Sequence, residues 1–335
     1  MRPIQRVTTF LMLVLTLAAA AAAQDQAKKD QFDDEMRKAE MLINRRQFEL
    51  ALQSYKKAYS LTEKTSLDAL LGMAVAYRGL GAHKNVLDLT DDAMKLAGDD
   101  KRQQAKVHNL KGAALVSLAD KPTDKRFDEA LTAFRAALEA NPELTSAQLN
   151  MGVTLLKQGH DEDGIRELKL YVDRAQKGPE TENAMKMIAE PRRARETFAP
   201  DFSITTKQGE FVTLEDLKGK TVVLDFWGTW CKPCLMATPG LVKLNRKYAE
   251  QGVVFIGVAV NDQEDAWSQY IEKNKMEWHQ FFDRSRKVAM PFSVSSFPTY
   301  IVIDRDGIVR ARKSGYGNDT DSWLEGEIKR ALKPK

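Results

Sequence analysis

The chain has 335 residues, of which 43% are hydrophobic and 29% charged, and it contains two cysteines. That length and composition suit about two soluble globular domains. The formal net charge is +4, about +2 once Arg2 and Arg6 are set aside, and basic and acidic residues are interleaved, so nothing points to nucleic acid as a partner.

Residues 1–23 have the grammar of a signal peptide. Arg2 and Arg6 precede the apolar run "VTTFLMLVLTLAAA", and "AAAQDQ" offers a small-residue cleavage site after about Ala23. The alternative is an uncleaved anchor. The apolar stretch from Val7 to Ala23 falls short of the ~20 residues a spanning helix needs, and no cysteine lies nearby for lipid attachment. Export is therefore expected, to a space such as a bacterial periplasm where free thiols persist only if something maintains them.

Residues 31–178 are helical throughout and repeat. Small residues recur at Ala51, Val86, Ala130 and Gly164. Four positions later stand Tyr55, Thr90, Phe134 and Leu168, and seven positions later Ala58, Ala93, Ala137 and Tyr171. The intervals are 35, 44 and 34, the long one carrying an insertion at 119–125. Small residues let two antiparallel helices approach, and larger ones fill the gap to the next pair. One pair cannot bury its own apolar face, so several must stack. The pattern resembles tetratricopeptide repeats, with "FDEALTAFRAALEANPE" (127–143) the best match and Thr90 and Gly164 the poorest fits. An irregular helical bundle is the alternative. His83, His108 and His160 have no metal-ligand spacing. Solenoids of this kind present a surface to a peptide or protein partner. Residues 179–197, punctuated by Pro179 and Pro191, are expected to form a capping helix and linker.

From residue 198 the pattern changes. "TVVLDFW" (221–227) and "VVFIGVAV" (253–260) are continuous apolar runs suited to central strands. Between them "CKPCLMATPGLVKLNRKYAEQG" (231–252) is predicted as a helix of about twenty residues, ending near Gly252. A second helix is expected over 265–274, two strands around a "DG" turn over 299–315, and a final helix over 319–332 with an Asp or Thr cap. The order implies an α/β layer fold with a mixed sheet.

Both cysteines lie in "DFWGTWCKPC" (225–234). Cys-x-x-Cys after a buried strand, opening a helix, is a redox pattern. Cys231 at the helix N-terminus is favoured as thiolate by the unpaired N–H groups and the dipole. Cys234, a turn further on, should be more buried. Cys231 then attacks a substrate disulfide and Cys234 resolves the mixed disulfide. Zinc lacks ligands, since His279 is the sole histidine in this half. A purely structural bridge closing so short a ring would constrain little of the unfolded chain.

The stretches "APDFSITTKQGEFVTLEDLKGKTVVLDFWGTWCKPC" and "SSFPTYIVIDRDGIV" resemble the TlpA/ResA-like branch of the thioredoxin superfamily, over residues 198–335. The resemblance implies a thioredoxin-like fold and a Cys231–Cys234 redox disulfide. It implies Trp230 on the surface beside the site, Pro239 kinking the active-site helix, and a cis-proline at Pro298 that turns the Phe297 backbone toward the sulfurs. Asp225 matches the family's buried acid and could exchange a proton with Cys234, or serve only as a structural aspartate. Lys232 and Pro233 lie between the cysteines; Lys232 should add positive charge near the thiolate, or be a solvent-facing residue of no consequence. Two departures stand out: Ala237 occupies a position often held by glutamate, and the strand 253–260 lacks the usual lysine. No bound cofactor or metal is expected. The implied partners are disulfide-bearing protein clients and a thiol electron donor, membrane-borne in such systems. Two other functions compete. A peroxiredoxin-like thiol peroxidase shares the "APDF" opening, but Gly228 stands where its threonine belongs and Thr229 is one residue too close. A repeat-based scaffold with an accessory redox domain is the other.

Overall fold

The computed structural model describes residues 3–333, with side chains from residue 23 onward. The expected export signal therefore falls almost wholly outside the described side chains. Among the described residues no helix is long and apolar enough to cross a membrane. The chain divides into two compact units, Met1–Arg195 and Glu196–Lys335.

The N-terminal unit is helical: α1 (Pro3–Asn44), α2 (Phe48–Leu61), α3 (Leu67–Gly79), α4 (His83–Ala97), α5 (Lys101–Leu118), α6 (Arg126–Ala140), α7 (Thr145–Gln158), α8 (Asp161–Arg174) and α9 (Pro179–Ala189), followed by a 3-10 turn at Pro191–Ala194. Each helix packs against the next. All twelve periodic residues are buried, and they lie on α2, α4, α6 and α8. Facing them on the preceding helices are Ala39, Ala74, Gly112 and Gly152. A Cβ on Gly112 would fall 2.5 Å from the Phe134 ring, and one on Gly152 would fall 2.8 Å from Leu168. The repeat's large residue thus fills the space its small partner leaves. The two poorest matches have local reasons. The Thr90 hydroxyl donates to the Leu87 carbonyl at 2.8 Å, so its burial leaves no unpaired group. A Cβ on Gly164 would strike Leu156 at 2.4 Å. At the far end Ala184 and Met187 of α9 cover Leu156, Leu168 and Tyr171.

The C-terminal unit comprises β1 (Ser203–Thr205), β2 (Phe211–Thr213), β3 (Thr221–Trp227), α10 (Lys232–Tyr248), β4 (Val253–Val260), α11 (Glu264–Lys273), β5 (His279–Asp283), β6 (Thr299–Ile303), β7 (Val309–Ser314) and α12 (Thr320–Leu332). Five strands form a mixed sheet in the order β5-β4-β3-β6-β7, with β3, β4 and β5 parallel and β6 and β7 antiparallel to their neighbours; β1 and β2 form a separate hairpin. β3 lies at the centre and is buried at every position. Its alternate side chains serve two cores. Val223 and Trp227 join Phe255, Ala259, Tyr300 and Val302 beneath α10, α11 and α12. Val222, Leu224 and Phe226 join Ile256, Val258 and Ile301 against the β1–β2 hairpin and residues 288–294.

Three local features differ from the sequence expectation. Strands β1, β2 and β5 were not predicted, because they are three to five residues long and their polar content hides the period. The "DG" turn is a five-residue connection rather than a tight hairpin: Asp304 Oδ1 accepts from the N–H groups of Asp306 and Ile308, with Gly307 at φ 81°. Asp319 occupies the N-cap position of α12 but makes no cap bond, because its carboxylate pairs with Lys313 Nζ at 2.6 Å.

Candidate active site

The strand β3 ends at Trp227 and the chain turns through Gly228-Thr229-Trp230 into α10. Two contacts to the end of β4 hold this turn. Asp262 accepts from the Thr229 N–H at 2.6 Å and from its hydroxyl at 2.5 Å, and Trp230 Nε1 donates to the Val260 carbonyl at 3.1 Å. A Cβ on Gly228 would lie 2.5 Å from the Trp230 indole nitrogen, so only glycine lets the ring fold back here. Sequence reasoning missed Asp262, which no motif marks.

Cys231 is the N-cap of α10, and its sulfur accepts from the Cys234 N–H at 3.3 Å. The two cysteines form a disulfide with an S–S distance of 2.07 Å. Sulfur at this position receives the field of the helix N-terminus, which favours a thiolate after reduction. The expected difference in burial is small: Cys231 is 5% exposed and Cys234 3%. Both cysteines belong to one buried cluster, and Phe297 packs against that cluster. Lys232 and Pro233 are exposed between them.

Pro239 lies inside α10 and cannot donate to the Leu235 carbonyl, as an interior proline always fails to do. The Tyr270 hydroxyl of α11 sits 3.3 Å from that oxygen and supplies the missing donor. The Tyr270 ring also tilts onto Trp227 at 5.6 Å, which packs rather than reacts.

The Phe297–Pro298 peptide is cis. The segment leading to it is fastened by Asp283, whose Oδ2 accepts from Val288 and Ala289 N–H, and by Arg312, which donates to the carbonyls of Phe292 and Ser293. Phe297 meets Trp230 edge to face at 5.3 Å. Trp230 is 53% exposed, and Met236 and Met290 are also exposed. The structure thus brings together Cys231, Cys234, Trp230 and Phe297.

Asp225 lies on the α10 side of β3, beside Tyr300 of β6. It is buried, and its Oδ1 has no hydrogen-bond partner among the described residues. Burial alone pushes its carboxyl up to about 8. The Tyr300 hydroxyl is pushed up as well, by burial first and then by the Asp225 and Asp321 charges. With its ionisation near neutrality, Asp225 can hold or release a proton under the disulfide-bearing helix.

The AhpC/TSA family matches residues 196–312, and the tetratricopeptide repeat matches residues 123–188. Over 132 residues the chain is 36% identical to the thiol-disulfide oxidoreductase ResA of Bacillus cereus, covering 39% of this chain and 75% of that protein. It is 35% identical over 122 residues to the thioredoxin-like protein YneN of Bacillus subtilis, covering 33% of this chain and 66% of that protein. Among solved structures, a putative thiol:disulfide interchange protein DsbE from Chlorobium tepidum is 30% identical, with a TM-score of 0.39, covering 41% of this chain and 97% of that one.

Proposed function

Since the chain belongs, through its C-terminal unit, to the ResA family of thiol-disulfide oxidoreductases, we propose that it is an exported reductase of protein disulfides. The observation that carries this reading is the Cys231–Cys234 disulfide across the N-terminus of α10. In the reduced enzyme the Cys231 thiolate attacks one sulfur of a client disulfide. The other client sulfur leaves as thiolate and takes a proton from solvent. Cys234 passes its proton to Asp225 and attacks the Cys231 sulfur, and the second client sulfur leaves with the bonding pair. The client gains two electrons and the enzyme returns to its disulfide, to be reduced by a thiol donor, membrane-borne in our reading.

The exposed ring of Trp230, next to Cys231 in the chain and packed edge to face on Phe297, suits an extended, partly apolar client segment. The tetratricopeptide-type repeats supply a second surface, which we assign to a client or assembly partner. The apolar leader at residues 1–23 supports export, and with it the periplasm. The competing peroxidase reading has less support. Gly228 leaves no room for a side chain under the Trp230 ring, and the Thr229 hydroxyl is committed to Asp262.

Insulin reduction with dithiothreitol tests the proposal. Wild-type protein accelerates it and Cys231→Ser does not. Cys234→Ser retains clients as mixed disulfides at Cys231. Peroxide consumption without disulfide reductase activity would refute the proposal in favour of the peroxidase. An empty Cys234→Ser trap alongside strong non-covalent partners would leave the repeats as a scaffold.

A further inference from the structure

The sheet carries a polar row on the face beneath α10. Strand register sets Asp225 of β3 beside Gly257 of β4 on one side and Tyr300 of β6 on the other, and Gly257 beside Gln280 of β5. Gln280 and Tyr300 are 0% exposed. Both amide atoms of Gln280, the Tyr300 hydroxyl and Asp225 Oδ1 have no hydrogen-bond partner among the described residues. A buried row of unpaired polar atoms is a costly arrangement in a sheet core, and it calls for a function.

Gln280 does not stay over its own strand. A Cβ built on Gly257 would fall 2.2 Å from Gln280 Oε1 and 3.0 Å from its Nε2. The amide therefore lies across Gly257, and β3 with Asp225 is one strand spacing further on, about 4.8 Å. Any side chain at position 257 would stand between the two. Among the described residues the other titratable groups on this face are Tyr300 from β6, Asp321 from α12, Tyr316 after β7, Tyr270 from α11, and Cys234 and Tyr248 from α10. None is a cation. Lys313 of β7 is drawn to Asp319, and Lys243 acts on Asp321. Among the described residues the Asp225 carboxylate thus faces no basic side chain, and the Gln280 amide, which lies over the intervening Gly257 with neither of its atoms bonded, is the donor-bearing group one strand away on the β5 side.

We propose that Gln280 is a positioning residue for Asp225, reaching across Gly257 to offer its amide N–H to the carboxylate that receives the Cys234 proton. The inference rests on the reading of Asp225 as that acceptor. In the step it serves, the Cys234 S–H bond breaks, the proton goes to Asp225, and the sulfur keeps the electron pair with which it attacks Cys231. The amide is unbonded in this disulfide form. A hydrogen bond to a charged acceptor is worth more than one to its neutral form, so an amide that pairs with the carboxylate as it ionises favours ionised Asp225 and an earlier proton transfer.

The test uses the full chain with glutathione attached to Cys231, and follows glutathione release as Cys234 resolves the mixed disulfide between pH 5 and 10. In the wild type the release rate climbs as Asp225 ionises. Gln280→Met keeps length and removes the amide. It is expected to move the climb up by about one pH unit, near tenfold slower release at neutral pH with little change at pH 10. Gly257→Ala, which displaces the amide, moves it the same way and provides a second variant should Gln280→Met fail to fold by its thermal melt. In an Asp225→Asn background Gln280→Met adds nothing. If Asp225→Asn abolishes the climb while folded Gln280→Met and Gly257→Ala leave it in place, the role of Gln280 is overturned and that of Asp225 stands. If Asp225→Asn keeps the wild-type climb, both fall.

Discussion

The repeat unit and the sheet unit differ in where their buried, unpaired polar atoms lie: on half-buried side chains in the repeats and in the core of the sheet unit. In the repeats the buried polar residues each have a partner, Ser54 with Glu35, Thr90 with the Leu87 carbonyl, Thr154 with Asn150, Thr181 with Gln176 and Gln148 with Glu167, and the unpaired buried atoms belong to the half-buried His83, Gln103 and Gln158. In the sheet unit Asp225, Gln280, Tyr300 and the Trp227 indole lie in the core with unpaired atoms. Local preference and tertiary packing agree along the helical pairs and conflict beneath the cysteines. Such conflict concentrates where a chain does chemistry, since a site is retained for its reactivity and not for its stability.

The largest effect that would break this contrast is at the first sulfur. Cys231→Ser should reduce insulin turnover to the uncatalysed background, whereas substitutions on the repeat helices should not touch the chemical step. Next comes packing in the repeats. Phe134 is fully buried against Gly112, and Phe134→Ala should lower the stability of the repeat unit by about 3–5 kcal/mol, read from a denaturant melt of its helical signal.

The pH dependence of stability sharpens the comparison from the sheet side. Asp225 has a folded pKa raised by burial to about 8, well above its unfolded value. Its contribution to stability is therefore fully present below about pH 4 and is lost as pH rises through about 8. Relative to their difference at pH 4, Asp225→Asn should outlast the wild type by on the order of 3–4 kcal/mol at pH 7, measured as a gap between denaturant midpoints that widens with pH. A gap that stays constant from pH 4 to 8 would mean the acid is ionised without cost.

Smaller effects follow. Tyr270→Phe removes the donor that serves the Leu235 carbonyl beside Pro239 and should cost about 1 kcal/mol in the melt of the C-terminal unit. Lys232→Gln alters an exposed charge and should change insulin turnover by no more than a fewfold, with the remaining sensitivity removed by salt.

What could be read from sequence follows from how far apart the interacting residues lie along the chain. The small-large-small period of the repeats was legible because each pair packs on its sequence neighbours. The strand before the cysteines, the helix after them and the paired thiols were legible for the same reason. Phe297 and Pro298 were legible through family resemblance alone. Asp262, which clamps Thr229, was not, because an acid in a loop after a strand has no distinguishing pattern.

The sequence by itself determined two units of different grammar, a central strand ending on a Cys-x-x-Cys pair, and an aspartate placed to sit within that strand. Local periodicity and spacing carry that information without reference to the rest of the chain. Only the tertiary structure decided the surroundings of the aspartate. β5 is five residues long and escaped prediction, yet its register lays Gln280 over Gly257 beside Asp225, more than fifty residues away along the chain. Strand pairing brings such residues together, and pairing depends on the whole sheet closing against its helices, a cooperative fact that no short stretch of sequence contains.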